Sequence, residues 1–347
     1  MSKKAFFKRE LQMSAMDNKV NSSFIIEPPK EDDFVGIARC FQEIYGGHYF
    51  HAEVSSATLY WEKVRAGALI PLVARAPTGD VVGHIALERE EGASVAERGE
   101  AVVLPQYRGH HLLEMMTERL RLEADKNSLV GVFAKPVTVH TFSQRNDDRA
   151  GMATCGLMLG VSPESLIPNN MPAPTLGQRQ SVVLTFSFYQ PPTRRAVFLP
   201  APYEEILQKI YKQLKIDLIQ GIKNYSLAPQ SSVEVEIDNR NNGLIIFKKI
   251  GLDFEGVFSR ALATFSKASV YSVQLWAPMS DPGLEELVYL SRENKFIFCG
   301  LGPAFLNGED ALILQMLNCD VALEKLQLFS QQTLDLASFV AQDRLEI

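Results

Sequence analysis

Val102-Val103-Leu104-Pro105-Gln106-Tyr107-Arg108-Gly109-His110-His111-Leu112-Leu113 is the stretch on which the reading of this chain turns. An apolar strand ends at a proline that cannot continue a ladder, Arg108-Gly109 makes a tight turn, and an amphipathic helix opens. Over residues 111–126 the apolar Leu112, Leu113, Met116 and Leu120 recur among Glu114, Glu118, Arg119, Arg121 and Asp125 at helical spacing. The first-turn amides of such a helix have no intrahelical acceptor, and its dipole adds about half a positive charge there. With Arg108 beside them, the turn suits an anion such as a pyrophosphate.

Working outward, residues 24–26 read as a strand, and Phe34, Ile37, Ala38, Phe41 and Ile44 predict a helix over 31–45. A second helix is expected over 57–66, and strands over 69–74 and 81–87 flank the turn Pro77-Thr78-Gly79-Asp80 as a hairpin. Residues 100–104 form the strand into the Arg-Gly turn. After the helix, 129–139 is β-rich, 141–149 helical and 153–161 an apolar strand. Residues 168–177 carry three prolines and a glycine without periodicity, which marks a linker over 168–180. Beyond it, strands are expected over 181–188 and 196–199, a helix over 203–214, a hairpin over 233–250 and a helix over 254–266. A strand over 270–276, a helix over 284–292, a strand pair over 296–300 and 311–316 and a helix over 321–341 complete the chain. The domains expected are an extension over 1–23, a first domain over 24–167, the linker, and a second domain over 181–347.

The 347 residues suffice for about two domains, and 46% hydrophobic with 22% charged residues is ordinary globular composition. A formal charge of −6 gives no field that would draw a phosphate backbone, so no nucleic-acid partner is expected. No run approaches the roughly 18 uninterrupted apolar residues that span a bilayer. Lys3, Lys4, Lys8 and Arg9 are followed by Asp17 and Lys19 rather than by a signal-length apolar run, so a cytoplasmic protein without a membrane partner is expected. Cys40, Cys155, Cys299 and Cys319 are too scattered for a zinc motif and sit among apolar neighbours, as core cysteines do. All six histidines lie in the first 140 residues; His48-x-x-His51 has no third ligand in a recognisable spacing, so no metal is expected. The segment from Gly46 to His51 reads as a loop bordering a substrate pocket, with Tyr45, Tyr49 and Phe50 as packing residues.

The strand, Arg-Gly turn and helix resemble the acetyl-CoA-binding motif of the GNAT N-acetyltransferase superfamily, Arg/Gln-x-x-Gly-x-Gly/Ala, with Arg108 at its first position, His111 at the Gly and Leu113 at the Gly/Ala position. The element order over 24–163 follows that family, and residues 233–317 repeat hairpin, helix, strand, helix and strand pair more weakly, with Lys295-Phe296 near the family's Gly-Phe step and no Arg-Gly turn between 252 and 260. The resemblance implies an α/β fold of the α+β mixed-sheet kind, built as two lobes, each a twisted mixed sheet flanked by helices. It implies an acyl-CoA-dependent N-acyltransferase, with acetyl-CoA or another acyl-CoA as co-substrate, acting on a small-molecule or peptide amine by direct attack. Cofactor-binding positions are Val102, Val103, Leu104, Arg108, Gly109, His110, His111, Leu112 and Leu113, with Ser143 at the Ala of the family's Asn-x-x-Ala.

The family's Tyr, which protonates the leaving thiolate, falls at Asp147; next to Asp148 and two arginines Asp147 reads as solvated, and His140, at the Asn position, titrates nearer neutrality and is the substitute acid. Glu100 is the base candidate, with Glu97 second. A different class remains open: an inactive tandem protein that binds a ligand or a protein partner. The acceptor and the oligomeric state are not fixed by the sequence.

Overall fold

The computed structural model describes residues 23–47, 49, 51–164, 177–221 and 226–347. Residues 1–22 of the extension, His48, Phe50 and residues 168–176 of the linker lie outside the described residues. Two compact units result: residues up to Leu87 with Glu100–Glu123, and Glu88–Gly99 with Ala124–Ile347. This division falls far from the 168–180 segment.

In the first unit β1 (Ile25–Glu27) pairs antiparallel with β2 (Leu69–Arg75), followed by β3 (Val81–Glu88) and the last residues of β4 (Val95–Val103). Helix α1 (Phe34–Tyr45) buries Ile37, Cys40, Phe41 and Ile44 and ends at Gly46 in the left-handed conformation that glycine permits (φ 60°). Helix α2 (Ala57–Arg65) starts at Ser56, whose Oγ accepts the Leu59 N–H. Helix α3 (Leu112–Lys126) buries Leu112, Met116 and Leu120, as the periodicity required. At Gly83 of β3 a Cβ would lie 3.3 Å from Met116 of α3.

In the second unit the sheet runs β4, β5 (Gly131–Ala134), β7 (Gln180–Phe188), β6 (Ala153–Ser162), β13 (Ile297–Leu306), β14 (Glu309–Leu317), β12 (Ser272–Pro278), β11 (Gly243–Lys249), β10 (Ser232–Ile237). The strand expected to open the second domain, β7, is instead hydrogen-bonded between β5 and β6. The two halves also share one sheet, since β6 meets β13 at Gly156 and Gly300. Further helices are α4 (Phe142–Arg149), α5 (Glu204–Leu214), α6 (Phe254–Ala268), α7 (Leu284–Glu293) and α8 (Gln331–Leu345). Helix α8 begins at Ser330, whose Oγ accepts from Thr333, so the helix read over 321–341 starts later than expected. A short parallel pair, β8 (Arg194–Val197) with β9 (Asp217–Gln220), stands apart from the main sheet.

The strand order repeats. The hydrogen-bonded row Glu97, Phe133, Phe186, Ala153 corresponds to the row Leu244, Gln274, Gln315, Ile297, with β4 parallel to β5 as β11 is to β12. Register shifts fall at the same places counted from Ala153 and Ile297: Thr154/Gly156 and Met158/Ser162 in β6, Phe298/Gly300 and Gly302/Leu306 in β13. Gly160 and Ala304, again equivalent, both take positive φ (61° and 57°). Cys40, Cys155 and Cys299 are buried and Cys319 half-buried, and desolvation pushes the Cys40 thiol up to about 12. Among the described residues no helix is long and apolar enough to cross a membrane.

Candidate functional site

Strand β4 is regular until Glu100, which adopts φ 49°. A left-handed residue inside a strand breaks the alternation of side chains, and here the Glu100 carboxylate is enclosed, with no exposed side-chain surface, beside two imidazoles. Its Oε1 lies 3.7 Å from Nδ1 of His51 and its Oε2 3.8 Å from Nδ1 of His84. His84, fully buried on β3, is held at Nδ1 by the Glu100 carbonyl oxygen (2.9 Å) and at Nε2 by the Tyr60 hydroxyl (2.9 Å). Desolvation pushes the His84 imidazole down to about 4, so it is neutral at pH 7.

His51, part-exposed, connects this buried carboxylate to a second one, since its Nδ1 also lies 3.3 Å from Glu53 Oε1. Glu53 is buried and paired with Lys63; although burial opposes it, the His51 and Lys63 hydrogen bonds bring its carboxyl down to about 2. The trio of Glu100, His51 and Glu53 offers one imidazole and two carboxylates within 4.8 Å, donors that suit proton transfer and would also suit a cation. Tyr49 stacks on His51 (5.3 Å between centroids) and packs against Phe41 (4.8 Å), which places Tyr49 in the packing role expected for it. Between α1 and the His51 loop an open groove of about 560 Å³ is lined by Ala38, Phe41, Gln42, Tyr49 and Val54 among others.

After β4 the chain makes the expected turn. Leu104 N–H donates to Val82 O, Tyr107 to Leu104 O and Arg108 to Pro105 O, and Gly109 (φ 83°) and His111 (φ 59°) are both left-handed. His111 therefore keeps the backbone conformation that a glycine would favour, and its carbonyl accepts the Met115 N–H as the helix starts. Its ring is bonded to Glu114 Oε2 at 2.6 Å. A Cβ at Gly109 would meet nothing within 4 Å, so the turn is open on that side. Of the residues read as cofactor-binding, Val102, Leu104 and Leu112 are buried core and offer only backbone; Val103, Leu113 and His110 are half-buried, and Arg108, Gly109 and His111 exposed. His110 packs against Phe24 (5.3 Å), and the Tyr45 hydroxyl, pushed up to about 12 by burial, lies within the field of Arg108.

The other named residues lie in the second unit. Glu97 is ion-paired with Lys135 at 2.7 Å. Asp147 is not solvated as its neighbours suggested: it is buried, paired with Arg98 and bonded to Thr185 Oγ1 at 2.6 Å. Burial raises its carboxyl while Arg98 and Thr185 pull it down. His140 precedes α4 and accepts the Phe142 N–H at Nδ1 (3.3 Å), and Ser143 is half-buried in the first turn of that helix. Tyr60, His84 and Glu53 were invisible to sequence reasoning. The only signal was a single histidine in the otherwise apolar strand Val81–Leu87.

At the matching place in the second half, counted from Leu244 as Glu100 is from Glu97, stands the buried Phe247. The turn before α6 has its amides engaged: Ile250 N–H by Asp281 Oδ2, Gly251 by Ser231 Oγ and Leu252 by Ala228 O.

No family model and no curated protein matches the sequence. Solved structures that match this chain include N-acetyltransferases. A spermidine N-acetyltransferase SpeG chimera from Vibrio cholerae and hSSAT is 14% identical, over 48% of this chain and 96% of its own, with a TM-score of 0.38. An N-acetyltransferase from Staphylococcus aureus Mu50 is 12% identical over 49% of this chain and 100% of its own (TM-score 0.40), and a ribosomal-protein-alanine N-acetyltransferase from Brucella melitensis 16% over 47% and 99% (TM-score 0.39).

Proposed function

We propose that the chain is an acyl-CoA-dependent N-acyltransferase with one active half. The observation that carries the reading is the enclosed Glu100 carboxylate on a left-handed residue, flanked by His51 and His84, on the strand that leads into the Arg108 turn. The residues fit the co-substrate: Arg108 and the first-turn amides around Gly109, His111 and Leu112 would hold its pyrophosphate, on a turn whose backbone keeps the left-handed residues such an approach needs. Bound acyl-CoA would supply a thioester carbonyl that an amine nitrogen attacks, the C–N bond forming and the C–S bond breaking as the thiolate leaves. The amine's proton passes to the enclosed Glu100 through His51, which is closer to solvent. His140 remains the candidate acid, and its proton would sit on Nε2, since Nδ1 already accepts from Phe142. The second half has Phe247 in place of the carboxylate, and its Ile250, Gly251 and Leu252 amides are engaged, so it is read as a structural copy.

Calorimetry with acetyl-CoA and thiol release on addition of alkyl monoamine, polyamine, amino acid, peptide and aminoglycoside acceptors test this. Binding that depends on Arg108 and turnover lost in Glu100→Gln is expected; no binding at millimolar acetyl-CoA overturns it. One observation favours the other reading, an inactive binding protein: the position of the family's acid holds Asp147, locked to Arg98 and Thr185. Tight acetyl-CoA binding with no thiol release from any acceptor would establish that reading.

A further inference from the structure

We infer that Tyr60 and His84 are positioning residues that hold Glu100 in its left-handed conformation, and so fix where its carboxylate sits. The inference rests on Glu100 being the base but stands on separate geometry. A neutral imidazole has one donor and one acceptor nitrogen. The Glu100 carbonyl oxygen only accepts, so Nδ1 of His84 carries the proton and donates to it at 2.9 Å. Nε2 therefore accepts, and the Tyr60 hydroxyl donates to it at 2.9 Å. The three groups form one directed chain from α2 through β3 to β4, with all of its hydrogen-bonding positions determined.

Both supporting side chains are wholly buried, which keeps the chain in a single protonation state. Burial holds His84 neutral, and it raises the Tyr60 hydroxyl well above the usual phenol range, with the Glu100 charge a smaller contribution. A non-glycine residue in the left-handed region is strained and persists only where its surroundings hold it. Here the hold is a side chain gripping the strained residue's own carbonyl. That grip sets the Glu100–Ala101 peptide plane, and with it the direction in which the carboxylate leaves the strand toward His51. Without the imidazole N–H, β4 can relax to ordinary strand geometry, in which Glu100 alternates outward.

The test uses the full chain labelled in His and Glu, with variants His84→Asn, His84→Leu, Tyr60→Phe and Glu100→Gln. The amide nitrogen of an asparagine falls where Nδ1 of a histidine does, so His84→Asn keeps the donor and His84→Leu removes it. NMR reads the geometry independently of catalysis. We expect a cross-peak between the Glu100 side chain and the His51 ring in the natural protein and in His84→Asn, no such cross-peak in His84→Leu, and a single Nδ1–H tautomer of His84 that becomes a mixture in Tyr60→Phe. Thiol release from acetyl-CoA with n-butylamine should fall about tenfold in kcat in His84→Leu, with KM for the amine within about twofold, and recover in His84→Asn.

A His84→Leu protein that keeps the cross-peak and the rate overturns the inference. If it does not fold, a Tyr60→Phe protein with the tautomer unchanged overturns it instead. Glu100→Gln separates the two claims: full activity there, with no Glu100–His51 cross-peak in His84→Leu, removes the base and leaves the positioning. The opposite pair of results removes the positioning and leaves the base. If the natural protein releases no thiol with n-butylamine, the cross-peak and the tautomer still decide.

Discussion

Gly156 of β6 and Gly300 of β13 are backbone partners where the two halves of the large sheet meet. A Cβ on Gly156 would lie 2.8 Å from the Cys299 carbonyl oxygen, and one on Gly300 would lie 2.5 Å from that of Cys155. These atoms are main chain and cannot turn aside, so only glycine allows the close approach. Either Gly→Ala substitution should destabilise the fold by roughly 1–3 kcal/mol, the usual cost of overpacking, and the pair together by less than the sum, because they relieve one shared seam. Urea denaturation of the three variants measures this; wild-type midpoints would show that the seam is loose.

His84 makes stability depend on pH. Its folded-state pKa, about 4, lies below the ordinary 6.5, so between these values the unfolded chain binds a proton that the folded chain refuses. Stability is full above about pH 6.5, falls as pH drops toward 4 and then levels, a loss of about 3 kcal/mol from this residue. Subtracting the profile of His84→Asn from that of the natural protein isolates the histidine among the carboxylates that titrate lower. A flat difference between pH 7 and 4 would mean that His84 is hydrated in solution.

The same residue shows what could be read from the sequence. Helices α1, α2, α3, α5, α6 and α7 follow from apolar spacing because each buries one face, and the Arg-Gly turn follows from Pro105 and Gly109. Glu100 was legible because it stands just before that turn in sequence. The first half of β4 was not, since Glu97-Arg98-Gly99-Glu100 is a polar run and the pairing of Val95–Glu97 to Gly131–Phe133 is decided far along the chain. His84 and Tyr60 meet across 24 residues, and His84 and Glu100 across 16, distances that no local pattern encodes. The place of β7 was missed for a related reason: a proline-rich segment looked like a boundary, yet β7 finds both neighbours, β5 and β6, before that segment in sequence.

Asp147 should be structural. It is buried against Arg98 and Thr185, so Asp147→Asn removes a charge and leaves the Arg98 guanidinium, only 9% exposed, without its counter-ion. Removing one partner of a buried pair costs about 3–5 kcal/mol. The expected result is a lower denaturation midpoint with kcat within about threefold at a temperature where the variant is folded. A kcat loss of about 10² at unchanged stability would instead make Asp147 the acid that serves the leaving thiolate.

One acyl-CoA should bind per chain, and Arg108 should set its affinity. In the first half the turn after β4 keeps Gly109 and His111 left-handed, its amides open the 15-residue helix α3, and Arg108 stands exposed beside them. In the second half the amides of Ile250, Gly251 and Leu252, ahead of α6, already donate to Asp281, Ser231 and Ala228. A pyrophosphate there would have to displace internal hydrogen bonds, and the Asp281 carboxylate on the Ile250 amide would repel it. With no equivalent of Arg108 to offset the lost hydration, binding at that turn is unfavourable. Hydrogen bonds to a charged group are worth about 1.5–3 kcal/mol, so Arg108→Ala should weaken acetyl-CoA binding roughly tenfold or more. Asp281→Ala, which frees the Ile250 amide, should leave the stoichiometry at one, since it adds no cation. Calorimetry of the three proteins decides the matter: two sites per chain, or an affinity indifferent to Arg108→Ala, would move the co-substrate away from the turn after β4.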